Sequence, residues 1–359
     1  MRILITGTLG YVGGALTDHL RARFPAAELV GFDSGLFADC LSTHAPPPET
    51  RLSVQHRGDL RDIDASLLRD TDAVVHLAAV SNDPIGARFE AATDAVNRVG
   101  SLRLAALAAA AGVRNFVFAS SCSVYGRSDG RPKREDDALQ PLTAYAVSKI
   151  AVERGLAAFD RGGMAVTCLR FATACGMAAR LRLDLVLNDF VAAAVAGGRI
   201  EVLSDGSPWR PLIDVRDMAR AIAFAATRPY AAGGGVLTLN VGADAANYRV
   251  RDLAEAVAAA VPGTGVAINT AAAADLRSYR VDFSRFGAVA PAHQPQIGLR
   301  DSIVGLVQGL GGIGFDDTAF RHGERMIRLN RLTALLRAGA LGADLRWRET
   351  ADTVALQAA

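Results

Sequence analysis

The sequence predicts an α/β protein built on a doubly wound parallel sheet, and three observations carry that expectation. Short runs at 2–6 (RILIT), 28–32 (ELVGF), 52–56 (LSVQH), 73–78 (AVVHLA), 115–120 (NFVFAS) and 165–170 (AVTCLR) are β-rich and apolar throughout. Strands buried on both faces read this way, whereas half-exposed strands alternate. Stretches of helical length separate them, near 11–23, 60–69, 93–112 and 143–160, and strand–helix alternation implies parallel pairing with helices on both faces. Finally, a glycine-rich turn joins the first strand to the first helix.

Beyond residue 171 the rhythm becomes irregular. A helix is expected over 181–198, a strand at RIEVL (199–203), a strand at VLTLNVG (236–242) and a helix over 248–261. The reading is a nucleotide-binding domain over 1–170, to which segments near 209–242 return, with an interleaved substrate lobe over 171–317. The arginine-rich stretch 318–359 is an extension, expected to be helical over 318–348 and to cap the molecule or pack against a second copy.

Bulk properties narrow the function. The chain has 359 residues, half of them hydrophobic, and a formal net charge of +2, which gives no electrostatic reason to expect a nucleic-acid partner. No apolar run approaches the length of a membrane span, and MRILITG reads as a strand rather than a leader. Cys40, Cys122, Cys168 and Cys175 lack metal-ligand spacing, so no metal site is expected and reduced thiols are. The expectation is a cytoplasmic enzyme or small-molecule binder.

ILITGTLGYVGG sets Gly7, Gly10 and Gly13 at GxxGxxG spacing between a strand and a helix. Such a turn lets backbone approach a pyrophosphate, which the helix N-terminus then attracts. Asp33 ends the second strand, where an acid accepts from ribose hydroxyls and repels a 2′-phosphate, so NAD is favoured over NADP. GDLRD offers Asp59 and Leu60 to an adenine ring, and HLAA offers the small Ala78 and Ala79 to the cofactor. Asn82 and Asp83 follow at the carboxyl edge of the sheet, as ligand-facing groups or as turn residues before Pro84.

Lysine is almost absent: of 39 basic residues only Lys133 and Lys149 are lysines. Lys149 stands four residues after Tyr145, on the same helix face about 6 Å along the axis. A tyrosine titrates near ~10 and needs positive charge nearby to act as a base at neutral pH. An ammonium supplies it and can also bridge ribose hydroxyls, which a planar guanidinium does less well. Ser121, at the end of the fifth strand, could hydrogen-bond a substrate oxygen.

With these residues in place, TGTLGYVGG, GDLRD, HLAA, SSCSVYG, YAVSK and WRPLIDVRD resemble the extended short-chain dehydrogenase/reductase family, specifically its nucleotide-sugar epimerases and dehydratases. The resemblance spans roughly residues 1–285. It implies Ser121, Tyr145 and Lys149 as the catalytic trio. It adds Tyr11, Val12, Leu77 and Asn97 to the NAD contacts, and a C-terminal lobe for a nucleoside diphosphate sugar. Arg210 matches the family's diphosphate arginine, with Arg277 a second candidate; Asn82, Ser121, Ser123, Thr173 and Asn188 complete the implied substrate set. A homodimer through helices near 93–112 and 143–160 is also implied.

Departures from the family pattern bear on the reaction. The 4,6-dehydratases carry Asp–Glu after the hydroxyl residue, where this chain has Cys122 and Ser123. Cys122 also stands one place away from the cysteine of a 3,5-epimerase type, and so reads as a packed thiol. In LRFATACG, Thr173 and Cys175 replace the usual Asn and Tyr. The reading is an NAD-dependent epimerase acting at C4 through a 4-keto sugar. The alternatives are a 4-ketoreductase and, further off, a 4,6-dehydratase or a non-catalytic dinucleotide-binding regulator.

Overall fold

The computed structural model describes residues 1–81, 83–127, 130–272 and 277–348. Six strands appear where the apolar runs predict them: β1 (Arg2–Thr6), β2 (Glu28–Asp33), β3 (Val54–Arg57), β4 (Ala73–His76), β5 (Asn115–Ser121) and β6 (Ala165–Phe171). Shorter strands β7 (Thr173–Cys175), β8 (Arg199–Val202) and β9 (Trp209–Asp214) precede β10 (Val236–Val241), and β11 (Asn247–Arg249) and β12 (Gly265–Ile268) follow. The central sheet runs β10-β6-β5-β4-β1-β2-β3, with every neighbouring pair parallel. This is the doubly wound order, extended at one edge by β10. Of the stretch 209–242, therefore, β10 joins this sheet. β9 lies instead between β11 and β7 in a three-stranded sheet, and β12 pairs with β8.

The helices are α1 (Tyr11–Arg23), α2 (Asp83–Arg88), α3 (Glu90–Thr93), α4 (Ser101–Ala110), α5 (Ala144–Ala158), α6 (Val186–Gly197), α7 (Val215–Thr227), α8 (Val250–Ala260), α9 (Ser284–Val289), α10 (Leu299–Gly312) and α11 (Arg328–Arg337). A π-wound segment, Asp94–Gly100, joins α3 to α4. Alternate residues of β1 show the layering. Ile3 and Ile5 enter one core with Leu16 and Leu20 of α1 and Ile222 of α7. Leu4 enters the other with Leu104 of α4 and Leu156 of α5. A strand with both faces buried needs apolar residues at every position.

Three expectations are corrected. The helix expected at 60–69 is two short 3₁₀ turns, Leu60–Asp62 and Ala65–Leu68. The side chains of Asp59 and Asp64 cap Arg61 N and Ser66 N, so the chain restarts before a longer helix can grow. The helix expected from 181 begins at Val186; Leu183 N instead donates to Met326 O at 3.0 Å, tying 181–185 to the C-terminal extension. Among its described residues that extension holds one ten-residue helix, α11, beside the short 3₁₀ turn Phe320–His322. It is far from solvated: Arg328 is 2 % exposed, and Leu332 and Leu335 enter a third core with Val80 and Ile85. No helix among the described residues is long and apolar enough to cross a membrane, and no metal-ligating cluster occurs among them.

Candidate active site

A cleft of about 900 Å³ runs along the carboxyl edge of the sheet, where ligands bind in doubly wound folds. At its nucleotide end Gly7 has φ +83°, and a Cβ there would stand 2.7 Å from Ala78 N. At Gly13 a Cβ would stand 2.3 Å from Gly7 O. Both glycines are therefore required by sterics, and between them α1 opens with its N-terminus free of any side-chain cap. Asp33 accepts from Leu9 N at 3.0 Å and Gly35 N at 2.8 Å. A carboxylate has about four acceptor sites, so two remain for ribose hydroxyls. Burial holds the Asp33 carboxyl above its usual range, with those two backbone bonds opposing the rise. This cradle fits a dinucleotide.

At the other end Thr143 caps α5, accepting from Ala146 N, and the helix carries Tyr145 and Lys149 under the end of β5. The Tyr145 hydroxyl faces the Ser121 side chain, whose Oγ accepts from Ser123 N at 3.1 Å. Lys149, 3 % exposed, donates from Nζ to Ala119 O at 2.7 Å, and Nζ lies 5.4 Å from the Tyr145 ring centroid. Burial pushes the Tyr145 phenol up to about 12, while the Arg182 charge and the Ser121 side chain pull it down. Burial also lowers Lys149 to about 7, against the opposing Glu153 carboxylate. Glu153 fixes the arrangement from behind: it accepts from Ser120 Oγ at 2.5 Å and from Arg170 Nη2 at 2.7 Å. One buried carboxylate thus ties α5 to β5 and β6.

The chain belongs to the NAD-dependent epimerase/dehydratase family. The family model matches residues 3–242. The UDP-glucose 4-epimerase of Mycolicibacterium smegmatis is 31% identical over 319 residues, covering 86% of this chain and 98% of that protein. Among solved structures, MoeE5 in complex with UDP-glucose and NAD is 28% identical with a TM-score of 0.71, covering 87% of this chain and 99% of that one. TunA, an NAD-dependent NDP-hexosamine 5,6-dehydratase, is 26% identical with a TM-score of 0.74, covering 88% and 99%. The chain is accordingly an enzyme of the extended short-chain dehydrogenase/reductase type, and NAD is its cofactor.

Most residues singled out from the sequence line this cleft. Gly7, Gly10, Tyr11, Val12, Asp33, Asp59, Leu60, Leu77, Ala78 and Ala79 line its cofactor half; Ser121, Ser123, Tyr145, Lys149, Thr173, Arg210 and Arg277 line the rest. Ser123 Oγ is buried without a hydrogen-bond partner among the described residues, which leaves it open to a ligand. Asp59 lines the cleft with its carboxylate taken by the Arg61 guanidinium.

Two residues expected at ligands lie behind the wall instead. Asn188, fully buried, accepts from Gly176 N and donates to Tyr11 Oη and Arg182 O. With those bonds made, its amide holds the wall rather than a diphosphate. Asn97 likewise clasps Val80 through both backbone groups and donates to Ser148 Oγ, fixing the β4 exit loop to α5. Asn82 lies outside the described residues. Cys122 is the packed thiol expected: fully buried, it donates to Arg170 O at 3.1 Å, and burial pushes its thiol far up.

Sequence reasoning missed Arg182 and Tyr279, both on the cleft. Arg182 forms a fork with Asp184, at 3.0 and 2.8 Å, and donates to Ser81 Oγ at 3.2 Å. The signal was a charge pair two apart inside the apolar run LRLDLVL, obscured by reading that run as helix. Because Arg182 lowers Tyr145, removing it raises the phenol. In the double variant R182M/D184N, which strands no buried carboxylate, the acidic limb of the pH–rate profile, set by ionisation of the Tyr145 base, should move up by about one unit. A profile that stays in place would remove Arg182 from this role.

Proposed function

We propose that the chain is an NAD-dependent nucleotide-sugar epimerase acting at C4 through a transient 4-keto sugar. The observation that carries the reading is the convergence of Ser121, Tyr145 and Lys149 on one cleft, with Lys149 Nζ 5.4 Å from the Tyr145 ring, in a site with no carboxylate at 122 or 123. Elimination of water from the sugar needs an acid–base group at its ring carbons, and a buried thiol and a small hydroxyl supply a poor one. The names of the relatives, UDP-glucose 4-epimerase foremost, favour the same reading.

In this mechanism Ser121 hydrogen-bonds the C4 oxygen. Tyr145 removes its proton as the carbon is oxidised and returns it when the carbonyl is reduced from the opposite face. Lys149 holds ribose hydroxyls and adds the positive charge that a phenol raised to about 12 requires. Bound NAD supplies the hydride acceptor and, once reduced, the donor. Arg210 and Arg277 are placed on the cleft to meet a diphosphate, for which guanidinium forks are suited, and Ser123 and Thr173 to meet the sugar. We assign the substrate half to the segments beyond residue 171, interleaved with the NAD-binding domain. A homodimer would cover Val99, Leu142 and Val147, apolar side chains left exposed along the segment before α4 and on α5 and its approach.

The test is to denature the purified protein, identify the nucleotide released, and incubate the native enzyme with a panel of UDP-sugars. Near-stoichiometric NAD and a C4 epimer formed without net cofactor turnover are expected. A product lighter by one water would make the enzyme a dehydratase, and stoichiometric consumption of reduced cofactor would make it a ketoreductase.

A further inference from the structure

The end of the described chain lies beyond residues 3–242, the part that the family model matches. After α11, residues 341–348 form a tight hairpin. Leu341 and Trp347 pair antiparallel, Gly342 N donates to Arg346 O and Leu345 N to Gly342 O, both at 2.9 Å, and Arg348 N closes on Ala340 O. The hairpin is anchored to both strand ends at the adenosine side of the cleft. Trp347 Nε1 donates to Ser34 O at 2.7 Å, one residue beyond Asp33. Arg61 Nη1 donates to Asp344 O at 2.9 Å, and the Arg346 guanidinium pairs with Asp62 and approaches Asp59 at 3.8 Å.

Between these anchors Leu345 faces the cleft, 4 % exposed and with φ +60°. Such a φ is unfavourable for a branched, bulky side chain, and conformations of this kind persist only where the surroundings enforce them. A hairpin needing only the turn would be served by glycine or asparagine. What leucine adds is an apolar surface on the cleft that Leu60 also lines.

We propose that this hairpin completes the cofactor site: Leu345 is a binding residue for the adenosine half of NAD, and Arg346 and Trp347 are positioning residues that hold it there. The proposal rests on the assignment of the cleft to NAD. It gives the C-terminal extension a function, as an outer wall that the adenosine must pass before the cofactor can leave. Slow release suits an enzyme that uses one NAD through many turnovers.

Leu345→Gly removes the side chain at a position whose backbone glycine adopts freely. Calorimetry on NAD-stripped protein would measure NAD and ADP-ribose, which share the adenosine, on wild type, L345G and Leu336→Ala. Leu336 packs in the same third core but does not line the cleft. L345G is expected to weaken both ligands by about tenfold, the scale of losing part of a leucine's apolar burial. L336A should lower Tm while leaving both affinities unchanged. Unchanged affinities in L345G, or equal weakening in both variants, would overturn the proposal and leave the cleft assigned to NAD. Wild type that binds neither ligand would overturn the NAD assignment and the proposal together.

Discussion

Tyr145→Phe is expected to lower turnover of the preferred nucleotide sugar by roughly 10²- to 10⁴-fold, the range for losing a positioned acid–base group, with NAD still bound. The substitution removes one oxygen from the ring and leaves the ring in place. The oxygen makes no contact that the fold depends on: α5 is held by Thr143 at its cap and by Glu153 between Ser120 and Arg170. The oxygen faces the Ser121 side chain on the cleft. The variant should therefore melt close to wild type and release the same nucleotide when denatured, while its kcat collapses. Undiminished turnover by direct assay of the epimer would remove Tyr145 from the chemistry and require another group to move the proton.

How much of this was legible depends on the kind of signal. The sheet was readable because each central strand is buried on both faces, and that favours consecutive apolar residues, as at 3–5 in β1, 73–75 in β4 and 165–166 and 168–169 in β6, over alternation. The glycine turn and Asp33 were readable because a close backbone approach permits few residue types. Lys149 stood out by composition, and the structure adds a physical reason: both lysines, Lys133 and Lys149, are buried, at sites where a compact ammonium and a guanidinium are not interchangeable.

What was illegible depends on contacts between distant segments. Asn97 and Asn188 have the chemistry of ligand-binding amides, and only the partners Val80, Ser148, Tyr11 and Gly176 reveal that they are used inside the protein. Arg182 reaches Ser81 across a hundred residues of chain, and Leu345 meets the cleft through bonds to Ser34 and Arg61. No local periodicity records such placements. The arginine-rich stretch 318–348 illustrates the point, since its charges suggest a solvated helix while Arg328 is enclosed, with its guanidinium over the Phe37 ring.

Lys149→Met should cost activity and add stability. Turnover is expected to fall by about 10²-fold or more, because the ammonium beside the Tyr145 ring is lost and the ribose loses a donor. Lys149→Arg should not restore it, as a planar fork does not fit a site built around one short Nζ–Ala119 O bond. Stability moves the other way. Burial lowers Lys149 from 10.5 to about 7, so between these values the unfolded chain carries a proton that the folded chain lacks. Unfolding then takes up a proton, and stability from this group rises with pH through that window. Below about 7 the folded protein bears the full cost of a buried ammonium. At about 1.4 kcal/mol per unit that cost is on the order of a few kcal/mol, reduced by the bond to Ala119 and the Phe118 ring 4.7 Å away. NAD-free K149M should melt a few degrees above wild type at pH 6–7, and the gap should narrow as pH is raised toward 9.5. A variant that melts lower at pH 7, or a gap that widens with pH, would mean that Lys149 is held as a structural cation, and its retention would then need no catalytic explanation.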